Sequence, residues 1–371
     1  MDNIDYEKTQ AFLCQIMFYD IETSENEEET KIKNVCDEFA IIDLNGYKVV
    51  YKHDKDLAHG SYGKIINYKL ASRHNDMPKD LCVKVGGDPV ILNDEAEVHR
   101  AASRADSSSI NVGYPFFVSC TMDGLVEKAT IILIPRMVGD LGQFCSSFKP
   151  SVSYHHYSIA VYSVINIVYA CIVLRDVNYY YTDLKLSNCL YDWNGKLLRV
   201  YLGDLGGAFS CRLRSGAIAT YPRPSSNTCS VDGVFNVSPK EMDVVYGCVV
   251  LFIAMIIRKD ISCLLYERGN HQIREAAVQS IISLKITSSL LSDNSITKEY
   301  FTSVLKTIDK LSASIPPAQI QTVKRIMSLA LNDGADLDDL FLQLTDAYVN
   351  LDRSTTYPLS DEITDYLKQI V

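Results

Sequence analysis

The stretch Y-Y-Y-T-D-L-K-L-S-N-C-L-Y, residues 179–191, decides how the rest of this chain is read. It places an acid, a cation and an amide (Asp183, Lys185 and Asn188) on one turn. The runs NCLYDW and RVYLGD read as two short strands around Asn194-Gly195, the strongest short-range hairpin signal. The hairpin delivers the chain to G-D-L-G at 203–206, where Asp204 is a second acid followed by Gly206. A lone D-L-K or D-L-G is usually a surface turn. The information lies in the joint spacing, bracketed by apolar strands.

Upstream of this stretch the pattern is strand-rich. YKVVYKH alternates from Tyr47, and KIINYKL and LCVKVGG follow as two more short β runs with the polar loop SRHNDMPKD between them. Residues 93–102 have helical character, and IILIPRM is a further buried strand. Residues 45–138 therefore read as a small β-rich lobe with one helix. In L-A-H-G-S-Y-G-K-I (57–65), Ala58, Gly60, Ser61, Gly63 and Ile65 form a tight connection whose two glycines let the backbone approach an anion closely. L-C-V-K (81–84) sets Cys82 and Lys84 on a strand that follows it. The helix N-D-E-A-E-V-H-R-A-A offers two carboxylates to Lys84. Glu95 has Val98 three residues on, the neighbour that should face the core, and is favoured over Glu97, which has Arg100 there.

After Gly139 the chain becomes mostly helical, and residues 139–371 read as a larger lobe. SYHHYSIAVYSVINIVYACIVLRDV is apolar enough for a long, mostly buried helix. Residues 210–239, rich in Ser, Gly, Pro and Asn, read as a long loop of the kind that carries function. The 14-residue apolar run Val244–Ile257 is too short for a bilayer about 30 Å thick and reads as a core helix. Amphipathic stretches follow at Ile320–Leu331 and Leu337–Leu351. Residues 1–44, with the charge run ETSENEEETK, read as an N-terminal extension.

Composition narrows the classes further. The 371 residues carry 36 Lys+Arg against 46 Asp+Glu, a net charge of −10, which argues against a generic nucleic-acid or anionic-membrane binder. Eleven cysteines are scattered with no C-x-x-C pair, as expected of free thiols in a reducing compartment. His155-His156 lacks a spaced third ligand, and His53, His59, His74, His99 and His271 read as isolated. No G-x-S-x-G elbow or Walker lysine motif occurs. The polar, acidic N-terminus does not resemble a secretory signal, so the expected location is cytoplasmic or nuclear.

D-x-K-x-x-N, then a hairpin, then D-x-G resembles the phosphoryl-transfer arrangement of protein kinases. With the 57–65 loop and the L-C-V-K strand in the family's order, residues 46–350 are similar to a eukaryotic-type serine/threonine protein kinase. E-A-E-V-H-R-A-A and I-P-R-M-V-G-D-L look most like the vaccinia-related and casein-kinase-like groups. The resemblance implies an α+β, bilobal protein-kinase-like fold using ATP and Mg2+. Asp183 would be the catalytic base and Lys185 would neutralise the transferring group, while Asn188 and Asp204 would hold the metal. Lys84, paired with Glu95, would fix the phosphates under the 57–65 loop. Ile134 would be the gatekeeper, Pro135 to Met137 the adenine-binding hinge, and Cys82 would replace the alanine over the adenine. The implied partner is a protein with Ser/Thr acceptors, because tyrosine kinases typically lack a lysine at the place of Lys185. The Tyr-, Asn- and Ile-rich composition suggests a large DNA virus, and then a host-cell location.

The departures from the family pattern are specific. The first glycine of the phosphate loop is Ala58. The H-R-D triplet is Tyr181, Thr182 and Asp183, so the arginine that receives a phosphorylated activation loop is missing, and activity independent of that phosphorylation is expected. Leu205 replaces the D-F-G phenylalanine. A-T-Y-P-R-P-S (219–225) is the nearest piece to A-P-E, and M-D-V-V-Y-G (242–247) resembles the buried D-V-W-S-x-G helix one residue short, with Asp243 either bracing the catalytic loop or capping its helix. A nucleotide-binding scaffold without transfer, and a small-molecule kinase, are the competing readings.

Overall fold

The computed structural model describes residues 32–35, 39–44, 47–60, 63–71, 79–85, 95, 97–99, 101–102, 116–121, 128–147, 154–181, 183–193, 198–210, 241–258, 317–329, 334–351, 358–359, 364–365 and 368–369. The fold is mixed α+β, with antiparallel sheets and helices. The chain divides into two compact units. The first holds residues 1–104, 112–138 and 204–206, and the second holds 105–111, 139–203 and 207–371.

The first unit is built on a seven-stranded antiparallel sheet. Its strands are β1 (Ile32–Val35), β2 (Phe39–Leu44), β3 (Tyr47–Gly60), β4 (Gly63–Leu70), β5 (Asp80–Val85), β6 (Phe116–Thr121) and β7 (Lys128–Pro135), in the order β1-β2-β3-β4-β5-β7-β6. The described end of the leading segment, residues 32–35 and 39–44, supplies two strands of this sheet. Ile41 and Ile42 pair with Val50 and Val49, and the apolar F-A-I-I-D-L run supplies the β-branched residues that a paired strand prefers. The adjacent charge run masks that signal in the sequence. The β3–β4 hairpin closes at Gly60 opposite Gly63, which leaves two residues for the connection. Ser61 lies outside the described residues. In β5, Leu81 and Val83 point to one face and Cys82 and Lys84 to the other, and all four are buried, as suits a strand flanked by β4 and β7.

The second unit is centred on α2 (Tyr154–Asp176), preceded by β8 (Gly139–Asp140) and α1 (Leu141–Ser146). Asp140 caps α1 by accepting from the Gln143 N–H at 2.8 Å. Then come β9 (Tyr179–Tyr181), β10 (Cys189–Trp193), β11 (Leu198–Leu202), β12 (Ala208–Ser210), α3 (Glu241–Ile257), α4 (Pro317–Leu329) and α5 (Leu337–Val349). Among the described residues α2 alone is long and apolar enough to cross a bilayer, and its apolar stretch is wholly buried. It packs against β9, β11, α3 and α5. β10 pairs with β11 from Cys189–Leu202 to Trp193–Leu198 in an antiparallel hairpin whose tip, with Asn194-Gly195, lies outside the described residues. β9 pairs with β12, so the residues before Asp183 are strapped to those after Gly207.

An ion cluster ties three helix ends of this unit together. Arg175, in the last turn of α2, donates to Glu241 at 3.0 Å and to Asp338 at 2.7 Å, and Glu241 also accepts from the Leu337 N–H at 3.0 Å. Burial opposes the charge on Arg175, but the two carboxylates outweigh it and hold the guanidinium firmly protonated. Arg175→Ala strands two carboxylates at the starts of α3 and α5. It should cost about 2 kcal/mol of stability, less than a fully buried pair because the partners are partly hydrated. Urea unfolding measures this, and an unchanged midpoint would show that the cluster contributes nothing.

Candidate functional site

The residues singled out from the sequence fall into two groups. Lys84, Glu95 and Asp204 belong to the first unit, and Asp183, Lys185 and Asn188 to the second.

Lys84 reaches the helical segment because β5 alternation aims it away from Leu81 and Val83. Its Nζ donates to Glu95 Oε1 at 2.8 Å, to Glu95 Oε2 at 2.6 Å and to Asp204 Oδ1 at 2.6 Å, which uses all three ammonium donors. Glu95 is only 3% exposed, whereas Glu97 is exposed. The pairing thus falls to the glutamate that shares its helix face with the buried Val98. Burial alone would lower the Lys84 pKa. The charges of Glu95 and Asp204 more than offset that and hold it above its ordinary value of 10.5, so the ammonium is permanent near neutrality.

Asp204 has a positive φ of 52°, a region that aspartate enters more readily than most residues. Its side chain is half exposed, at 52%, so one carboxylate oxygen meets Lys84 while the group keeps access to solvent. Gly206, two residues on, sits where a Cβ would come within 3.3 Å of Glu95 Oε2. The glycine of D-L-G therefore has a packing reason: a larger residue would press on the carboxylate that anchors Lys84.

His99 completes this cluster. It is buried, and its Nε2 lies 3.7 Å from Glu95 Oε1. The sequence reading set it among the isolated histidines, although Glu95 and His99 stand at i and i+4 and a helix brings such a pair together. Burial lowers the His99 pKa below its ordinary 6.5, and Glu95 pulls the other way without prevailing. The imidazole is neutral in the fold but binds a proton at about 6.5 when unfolded. Stability from this group is thus complete above pH about 6.5 and lost as pH falls below it. Urea midpoints should drop from pH 7 to pH 5, and His99→Gln should flatten part of that slope. An identical slope in the variant would remove His99 from the account.

The second group is a hydrogen-bonded loop between β9 and β10. Asp183 Oδ2 accepts from Lys185 Nζ at 2.8 Å and from Asn188 Nδ2 at 2.8 Å. Asn188 Nδ2 also lies 3.0 Å from the Asp183 carbonyl and 3.0 Å from the Tyr181 hydroxyl. Tyr181 in turn donates to the Gly203 carbonyl at 3.1 Å, and the Gly203 N–H donates to the Asn188 carbonyl at 2.8 Å. The loop is thereby fixed to the end of β11, one residue before Asp204. Leu184 and Leu186, both buried, anchor it from below. Gly247 of α3 admits Leu184, since a Cβ there would come within 2.8 Å of Leu184 Cδ1. That close approach gives the M-D-V-V-Y-G helix a concrete task beneath the loop. The side chain of Asp243, and all of Thr182 and 219–225, lie outside the described residues.

The remaining predicted positions sit on the sheet. Ala58 pairs with Ile65, and Ile65 with Lys84, so the strands of the 57–65 hairpin run beside the lysine. Cys82 pairs with Ile134 on β7, and Pro135 with Leu81. Cys82 is buried and its thiol pKa is pushed up to about 12 by burial, which leaves it unreactive. Met137 follows β7 and is half-buried. Arg136 between them is tethered to Asp80 at 3.0 Å, an ion pair the sequence reading did not assign. Compared with family models and with curated proteins, the sequence matches none.

Proposed function

We propose that this protein transfers the γ-phosphoryl group of ATP to serine or threonine hydroxyls of proteins, on a bilobal protein-kinase-like fold. The observation that carries the reading is the Lys84 cluster. One ammonium is gripped by a carboxylate 11 residues away and by another 120 residues away, the two that the motif spacing selects. A scaffold that only binds nucleotide could use the Lys84 cluster as well, but it would have no need of the Asp183–Lys185 pair beside it.

The roles follow from chemistry and access. Asp183 would orient the acceptor hydroxyl and take its proton as that oxygen bonds to the γ-phosphorus. The bond to the β–γ bridging oxygen breaks, and ADP departs with the electron pair. Lys185, already beside Asp183, would offset charge on the transferring group, and Lys84 would hold the inner phosphates. No cluster of three or more His, Cys, Asp or Glu among the described residues could hold a metal by itself. Magnesium fits such a site, because it is commonly bound by one or two protein oxygens plus phosphates. Asp204 and the Asn188 amide oxygen are the hard donors that would hold it, and bound there it would neutralise charge on the phosphates. Lys185 favours serine and threonine over tyrosine as acceptors.

An assay with labelled ATP, scoring autophosphorylation and a generic protein substrate beside Asp183→Asn, tests this. Phosphoserine or phosphothreonine from wild type alone supports it. Magnesium-dependent stabilisation by ATP without transfer points to a scaffold instead. Label in a metabolite but in no protein points to a small-molecule kinase.

A further inference from the structure

Tyr181 lies outside the five polar positions given roles above, and as part of the Tyr179–Tyr181 run it reads from sequence as packing. Its ring is fully buried, yet its hydroxyl sits between two polar partners, the Asn188 amide at 3.0 Å and the Gly203 carbonyl at 3.1 Å. We infer that the Tyr181 hydroxyl is a positioning residue for metal binding: it fixes which way the Asn188 amide faces and where the chain leaves β11 toward Asp204. The inference rests on the proposed function, which makes Asn188 and Asp204 the metal donors.

The geometry works through the donor inventory. An amide NH2 has two hydrogens, and Asn188 Nδ2 has Asp183 Oδ2, the Asp183 carbonyl and the Tyr181 hydroxyl around it at 2.8–3.0 Å. With its nitrogen so engaged, the amide turns its oxygen away from Asp183 and Tyr181. That oxygen is the atom a hard cation requires. Tyr181 takes part from the buried side, where water cannot replace it, and its own proton goes to Gly203, whose N–H returns to the Asn188 carbonyl. Asn188, Tyr181 and Gly203 thus form a closed ring of hydrogen bonds. Phenylalanine at position 181 would fill the same volume and break that ring at two points. The Asn188 amide would then be held by Asp183 alone, without its partner on the buried side, and the Gly203 carbonyl would lose a buried donor.

The test is Mn2+ affinity of the full chain with a non-hydrolysable ATP analogue, read by electron paramagnetic resonance of free Mn2+. Tyr181→Phe should bind Mn2+ roughly tenfold more weakly, the scale of one lost positioning hydrogen bond to a metal ligand. The Mg2+ midpoint of phosphotransfer should rise with it, and KM for the protein substrate should stay put. Tyr180→Phe, on the same strand, should match wild type. If Tyr181→Phe does not fold, Tyr181→Met, a flexible apolar side chain with no hydroxyl, takes its place and should weaken Mn2+ binding in the same direction. Wild-type Mn2+ affinity in either folded variant overturns the inference while leaving the kinase reading standing. Absence of nucleotide-dependent Mn2+ binding in wild type would instead remove the kinase reading beneath it.

Discussion

Asparagine at position 183 is expected to lower phosphotransfer by about 10²–10⁴-fold, the usual contribution of a positioned base, with the melting temperature close to wild type. The two halves of this expectation come from the same contacts. Asp183 accepts from Lys185 and Asn188 at 2.8 Å each, and an asparagine oxygen can accept both. The shape of the loop is kept, and Leu184 and Leu186 still anchor it. What disappears is the negative charge and the ability to take a proton. The Lys185 pair contributes little to stability, because both side chains keep contact with water, at 23% and 15% exposure. A purely structural aspartate would show the reverse pattern, with a lower melting point and unchanged turnover. Rate measurements under saturating ATP, beside calorimetry, separate the two. Turnover within a few-fold of wild type would deny Asp183 its role.

The elements nearest the candidate site were legible because their signals are local. β3, β4 and β5 alternate along the sequence, the N-C-L-Y-D-W and R-V-Y-L-G-D runs flank an Asn-Gly turn, and α2 is apolar throughout. The choice of Glu95 over Glu97 was also local, since Val98 marks the buried face of their helix. What stayed hidden depends on partners far along the chain. F-A-I-I-D-L looks like any short apolar run until β3 offers it an edge. Arg175 looks like an ordinary helix-ending cation, and only the fold brings Glu241 and Asp338 to it. Tyr181 was legible as a buried ring but not as a hydrogen-bonding one, because its two partners stand 7 and 22 residues away on other elements. His99 is the exception. Its spacing from Glu95, i to i+4 on one helix, is readable in the sequence, and the partner it implies is a carboxylate and not a metal.

Lys84→Met should abolish phosphotransfer and, unlike Asp183→Asn, should also destabilise the protein. Sequence alone suggests a strand-end lysine whose loss leaves the melting temperature intact. Its environment says otherwise: the Lys84 side chain is 11% exposed and Glu95 only 3%. Methionine fills the space of the alkyl stem but leaves the Glu95 carboxylate buried without its cation. Breaking a buried pair from one side costs about 3–5 kcal/mol, mostly through the orphaned charge. Asp204 is half exposed and can turn to water, so its share of the loss is small. The sign of the pH dependence is fixed by the raised Lys84 pKa. Its stabilisation is complete below the unfolded value of about 10.4 and is lost only as pH climbs through the folded one. The deficit of Lys84→Met should therefore be constant between pH 7 and pH 9. Adding Glu95→Gln removes the stranded charge, so the double variant should regain most of the lost stability and none of the activity. Stability and catalysis then part company at one residue, as expected of a cation that both neutralises a buried acid and waits for phosphate. If Lys84→Met melts like wild type, the buried ion pair is not a stabilising contact. If the double variant recovers turnover, the ammonium was never needed for the chemistry.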